Sequence, residues 1–286
     1  MDQVEEDVEV TEADILGNIS TGRGRSKASQ VVIKRSPWKN IGTWNVRTML
    51  NASKLENIKL EMLRLDIDIL GVSEVRWSGN GDFWSDDYRV IYSGDETPRR
   101  AGLRTKPNDI VLFQVYFPTS DAEDDAIEEV YSGLEELCKL AKGEDNLIIM
   151  GDWNAIVGEG AEGQEVGAFG LGTRNERGDR LVDFCKQHDM TITNTFQNIH
   201  RRKRYTWKMP GNIGRYQIDY IIVRKRFRNQ VHRCKTYPGA DVNSDHNLLI
   251  MKCNVVYKKL TRRNQTTMKY DLRMLKDNTI NTAYTS

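Results

Sequence analysis

A chain of 286 residues with 38% hydrophobic content is long enough for one sizeable core, and a net charge of +1 excludes a uniformly acidic or basic protein. That balance conceals segregation: residues 200–286 carry 20 Lys/Arg against 5 Asp/Glu, so the acidic excess falls on residues 1–199 and the last third suits a polyanion. The four cysteines lie at 138, 185, 234 and 253 with no paired spacing, which speaks against zinc even beside Cys185 and His188; with no apolar leader and no bilayer-length apolar run, a soluble, intracellular, reduced protein without membrane contact is expected.

In chain order, residues 1–37 are acidic and then Gly/Arg/Ser-rich and read as a disordered tail. Ile41–Val46 reads as the first strand. Asn51 or Ser53 can cap a helix carrying Leu55, Ile58, Met62 and Leu65 at helical spacing, and Asp68–Glu74 is the second strand. Ile110–Tyr116 is a strand stopped by Pro118, followed by a helix from about Ala122 to Ala141 with a cap among Thr119–Asp121. Leu147–Asp152 is a short apolar strand, and Val157–Gly172 is a Gly-rich surface loop with no phosphate-binding spacing. Asn175 caps a helix to His188, and short strands follow at 191–194, 205–208, 217–223, 232–237 and 247–255. Strands alternating with helices, then mostly strands, imply a layered α/β (α+β) domain over residues 38–256, with a basic linker or tail over 257–286.

Polar residues recur at the strand ends: Asn45, Glu74, Tyr116, Asp152 with Asn154, Asp219, and Asp245 with His246. In an extended backbone Asp152 and Asn154 point one way and Trp153 the other, and Gly151 admits a close approach. The chemistry this set suits is phosphoester hydrolysis. Oxygen donors such as Glu74, Asn45 and Asp245 suit Mg²⁺, Asp152 can deprotonate water, and Asn154 and Tyr116 can donate to phosphate oxygens. His246, held by Asp219 as imidazolium, can donate to the phosphate from its other nitrogen.

The ordered segments T-W-N-V-R at 43–47, S-E-V-R-W at 73–77, V-Y-F-P-T at 115–119, G-D-W-N at 151–154, Q-I-D-Y at 217–220 and S-D-H-N at 244–247 resemble the endonuclease/exonuclease/phosphatase superfamily. Finer features, at Gly172–Gly178, Tyr205–Trp207 and Tyr270–Leu272, are similar to the endonucleases of RTE-type non-LTR retrotransposons and the craniofacial development protein 2-like host proteins, over roughly residues 38–277. The resemblance implies a four-layered αββα sandwich, an AP-endonuclease-like site, Mg²⁺ or Mn²⁺ dependence and DNA as substrate. It implies Glu74 as principal metal ligand, Asn45 on metal or phosphate, Tyr116 on the phosphate, Asp152 and Asn154 activating water and binding phosphate, and Asp219, Asp245 and His246 completing the site. No polymerase domain is expected after the basic Lys258–Arg263 segment.

One departure stands out: two strands usual in the family are replaced by the polar stretch Ser93–Asp109, so part of one sheet is expected to be missing between about 93 and 109. Arg201, Arg202, Lys203, Arg204, Arg224, Lys225 and Arg226 bracket the segment presenting Asp219 and are expected on DNA phosphates, and the run at 201–204 also resembles a nuclear localisation signal. Trp207 is expected to fill the core in preference to stacking on a base. The expected function is a metal-dependent, retroelement-derived DNA endonuclease in the nucleus, using no small-molecule cofactor. The alternatives are a catalytically inactive DNA- or chromatin-binding relic and a phosphatase acting on a small phosphoester.

Overall fold

Helical spacing, caps and alternating apolar runs become discrete elements in the computed structural model, which describes residues 38–93, 100–105, 110–119, 122–141, 143 and 145–254. In chain order these are β1 (Trp38–Asn45), α1 (Ala52–Leu65), β2 (Ile69–Ser73), β3 (Asn80–Ser85), β4 (Tyr88–Ser93), β5 (Arg100–Thr105), β6 (Ile110–Tyr116), α2 (Asp124–Leu140), β7 (Asn146–Asp152), α3 (Glu176–Gln187), β8 (Met190–Ile192), β9 (Trp207–Lys208), β10 (Arg215–Tyr216), β11 (Asp219–Arg224), β12 (Val231–Tyr237) and β13 (Leu248–Asn254). The expected tails at 1–37 and 257–286 lie outside the described residues.

Two sheets form the middle of the molecule, one ordered β12-β13-β1-β2 and the other β5-β6-β7-β11-β8. β1 and β2 are parallel across α1, and β6 and β7 are parallel across α2, as helical crossovers allow; the remaining pairs within the two sheets are antiparallel. Alternation along β6 and β7 assigns the layers. Ile110, Leu112, Ile148 and Met150 join Ile41, Ile221, Leu249 and Met251 in the core between the sheets, whereas Val111, Phe113, Val115, Leu147 and Ile149 face α2 and α3 with Leu134, Leu181 and Phe184. On the other outer face, Trp44, Val46, Leu248 and Ile250 pack against Ile58 of α1, with Leu55, Met62 and Leu65 beside it. The order helix, sheet, sheet, helix is the expected αββα sandwich.

Local expectations held where a single signal was clean. Asn51 accepts from the Ser53 amide to cap α1, and Asn175 accepts from the Gly178 amide to cap α3. At α2 the N-cap is Glu123, with no side-chain cap bond, in place of the expected Thr119–Asp121 region. The Gly-rich loop is a surface loop only in part: Val157 and Val166 are buried in the core, and Val166 bridges to Ile192. Gly170 and Gly178 pass so close to the Gly158 and Ile156 carbonyls that an added Cβ would lie 1.8 Å and 1.9 Å from them.

In the region of the expected break, between 93 and 109, the described residues hold one strand. Residues 100–105 form β5, paired antiparallel with β6 from Arg100 opposite Val115 to Thr105 opposite Ile110, while 94–99 and 106–109 lie outside the described residues. β3 was not foreseen, because N-G-D-F-W-S lacks alternation; it pairs with β4 in a separate hairpin, against which Trp77 packs edge-on to Tyr92 at 5.0 Å.

Candidate active site

The strand ends converge at one edge of the sandwich. β7 is antiparallel to β11 with Asp152 opposite Asp219, and parallel to β6 with Asp152 opposite Tyr116. Gly151, at φ 148°, makes this junction: a Cβ there would lie 1.9 Å from the Val115 carbonyl oxygen, so only glycine lets β6 and β7 meet just before Asp152. Trp153 turns into the core, stacked on Phe117 at 4.9 Å with its Nε1 donating to the Tyr220 carbonyl, and anchors the residues on either side. β7 ends at Asp152; Asn154 reaches the same edge through left-handed backbone at φ 46°, not through continued alternation.

Asn45 Nδ2 donates to Glu74 Oε1 and to Asp152 Oδ2, both at 2.9 Å, while Asn45 Oδ1 accepts from the Arg47 amide. The backbone donor orients the amide, so that its nitrogen ties the two carboxylates together. Glu74, itself left-handed at φ 56°, gives its other oxygen to Arg76 at 2.8 Å. On the opposite side, His246 Nδ1 lies 2.9 Å from Asp219 Oδ2 and its Nε2 lies 3.8 Å from Asp152 Oδ2. Asp245 accepts from Trp207 Nε1 at 3.2 Å and faces Arg47 Nε at 3.7 Å. Trp207 is thus half-buried at the site's rim and does not fill the core as expected.

The electrostatics follow from burial. Asp152, Asp219 and His246 are 1%, 1% and 7% exposed. Burial, reinforced by the Asp219 carboxylate, pushes the Asp152 carboxyl up to about 7 despite His246 and the bonds from Asn45 and the Asn154 amide. For His246 burial opposes the charge, but the Asp219 carboxylate and its hydrogen bond, with Asp152 and Asp245 behind them, outweigh it and push the imidazole up to about 9. Two buried carboxylates against one imidazolium leave an excess of negative charge, and Asp219 Oδ1 and Asp245 Oδ1 are buried without a hydrogen bond.

This donor set fits a hard divalent cation, which takes oxygen ligands and relieves such an excess. Single ligand atoms of Asp152, Asp219 and His246 lie within 4.8 Å of one another, yet an imidazole held charged by Asp219 is a poor ligand. Glu74 and Asp245 bring further carboxylate oxygens to the same edge, Asp245 Oδ1 being buried without a hydrogen bond.

Asn154 Nδ2 donates to the Phe117 carbonyl at 2.8 Å, leaving its second N–H for a substrate. The basic residues divide. Arg224 bonds the Ala141 and Gly143 carbonyls at the C-terminal end of α2, Lys225 pairs with Glu165 and Asp189, and Arg226 lies over Phe227. Arg224 ends β11 and Lys225 and Arg226 follow it, at the end of the strand away from Asp219 and roughly 17 Å along it. Arg201 pairs with Glu159 and Arg204 bonds the Ile199 and Gly170 carbonyls, whereas Arg202 and Lys203 are exposed. Sequence reasoning missed Arg47 and Arg76, which pair with Asp245 and Glu74. The signal was present as an arginine two residues after each of Asn45 and Glu74.

A family model described as endonuclease-reverse transcriptase matches residues 110–250. Craniofacial development protein 2 from Bos taurus is 41% identical over 261 residues, and that from Tragulus javanicus 41% over 245; the matches cover 81% and 76% of this chain. They cover 44% and 42% of those proteins, so the chain spans less than half the length of the curated relatives it matches. Among solved structures, the endonuclease domain of TRAS1, a telomere-specific non-LTR retrotransposon, aligns with TM-score 0.51 at 15% identity over 77% of this chain and 99% of its own. The 3′ phosphatase NExo from Neisseria, bound to product DNA hairpin, aligns with TM-score 0.55 at 15% identity over 75% and 99%. At that identity both likenesses bear on fold alone. No helix among the described residues is long and apolar enough to cross a membrane.

Proposed function

The chain belongs to the endonuclease/exonuclease/phosphatase superfamily, and on that premise we propose that it hydrolyses phosphodiester bonds of DNA as a divalent-metal-dependent endonuclease. The observation that carries this reading is one linked edge, in which Asn45 joins Glu74 to Asp152 while Asp219 holds His246 against the same Asp152. A carboxyl poised near 7 accepts the proton of an attacking water at neutral pH. Asp219 fixes the imidazole so that Nε2, still protonated, faces the reacting phosphate and donates to an oxygen whose charge grows in the transition state. Asn154 contributes its second amide hydrogen, and Tyr116, opposite Asp152, presents its hydroxyl from the neighbouring strand. Mg²⁺ or Mn²⁺, held by Glu74 and Asp245, would neutralise phosphate charge.

The intact polar set favours an active enzyme over a binding relic, and the basic last third favours a long polyanion over a small phosphoester. A nuclear location accords with that substrate and with the run Arg201–Arg204. Nicking of supercoiled plasmid in Mg²⁺ tests the reading. Asp152→Asn and His246→Gln are each expected to lower the rate by about 10²–10⁴-fold with unchanged circular dichroism. Absence of nicking from folded wild-type protein would overturn it in favour of the relic.

A further inference from the structure

Many cations among the described residues are spent on partners, as in Arg180 with Glu128, Arg174 with Glu162, Lys186 with Asp183 and Lys225 with Glu165. The outer face of the β12-β13-β1 sheet differs. Cys234 and Thr236 of β12 are buried, Cys234 in the core between the sheets, so Arg233, Lys235 and Tyr237 project from the other side. Register sets Lys252 between Arg233 and Asn40, and Ile250 beside Lys235. These residues line a groove of about 210 Å³ together with His232.

No carboxylate is among the described residues lining it; the nearby Asp68 accepts from the Asn40 amide and pairs with Lys39. Among the described residues Arg233, Lys235 and Lys203 have no acidic partner. Lys235 is held 4.8 Å above the Tyr237 ring, and burial together with Lys203 and Arg233 lowers its affinity for a proton. The like charges of two chain segments, 201–203 and β12, are therefore gathered at a cost that an anion would relieve.

We propose that this groove is a second binding site, separate from the candidate active site, for the phosphate backbone of a nucleic-acid strand. Arg233 and Lys235, two apart on one face, are spaced by about 6.6 Å, comparable with successive phosphates along one strand, and Lys203 adds its positive charge to that of Lys235. Lys252 is roughly 20 Å along the chain direction from His246, so a strand seated here is remote from the cut. The inference rests on the proposed function only for the choice of nucleic acid as the polyanion.

The test uses the full chain in chelator, where no metal-dependent cleavage intervenes. Binding of a fluorescent single-stranded oligonucleotide and of its duplex is followed from about 50 to 200 mM salt, for wild type and the double variant Arg233→Gln/Lys235→Gln. The variant is expected to bind about tenfold more weakly at the lower salt, with a slope of log affinity against log salt shallower by about two. Nicking of a short duplex should be unchanged, and the thermal midpoint no lower, since like charges are removed. Unaltered affinity and slope for both oligonucleotides would overturn the site. So would loss of short-duplex nicking in proportion to binding, which would place the groove within the active site. Wild-type protein that binds through these residues yet nicks nothing would refute the hydrolase reading and leave the groove standing.

Discussion

Replacing Asp219 by asparagine removes one charge from the buried edge while keeping its shape. In the wild type Asp219 Oδ2 lies 2.9 Å from His246 Nδ1 and the imidazole is pushed up to about 9. Burial acts in the opposite sense while Asp152 and Asp245 still favour the charge, so without the Asp219 carboxylate the midpoint is expected to fall toward the ordinary 6.5. A fall from about 9 to about 6.5 corresponds to about 3 kcal/mol of interaction. Because the folded value lies above the unfolded one, this stabilisation is fully present below about pH 6.5 and is lost as pH rises through about 9. Asp219→Asn is therefore expected to be less stable by roughly 3 kcal/mol near pH 6, with the gap closing by about pH 9.5. Above about pH 7 the variant also escapes the repulsion between Asp219 and Asp152, which closes the gap further. Histidine side-chain NMR across pH, with the resonance assigned by His246→Gln among four histidines, reads the midpoint, and urea titrations at both pH values read stability. A midpoint still near 9 in the variant would refute Asp219 as the group that keeps His246 charged.

Gly151→Ala forces a Cβ to 1.9 Å from the Val115 carbonyl at φ 148° and should cost roughly 3 kcal/mol or more by urea midpoint; a loss under about 1 kcal/mol would mean the strands separate easily. Trp153→Ala, at a site 1% exposed, should cost about 3–5 kcal/mol and reduce nicking by misplacing Asp152 and Asn154. Added Mg²⁺ at about 100 times its dissociation constant should stabilise the wild type by about 2.7 kcal/mol, seen as a raised thermal midpoint; Glu74→Gln should abolish that rise, and an equal rise in both would remove Glu74 from the metal.

Much of the sandwich was legible because its signals are local. The apolar run 110–116 became β6 at those same bounds, and Asn51 and Asn175 cap the helices they precede. The hairpin strand β3 was not, since a polar stretch becomes a strand only when a neighbour supplies its hydrogen bonds. The ordered motifs picked out residues that the fold brings to one edge, but not their contacts with one another. The amide of Asn45 is turned by the Arg47 N–H, Arg224–Arg226 are carried away from the site by the direction of β11, and Trp207 is drawn to Asp245 instead of the core. The sequence by itself determined most of the elements and the chemical inventory, because periodicity and capping act over a few residues, while the order of four layers followed from the resemblance of its motifs. Only the tertiary structure decided which groups meet, because Asn45, Asp152 and His246 touch through pairing between strands far apart in the chain, and their charges take their values from the burial that pairing creates.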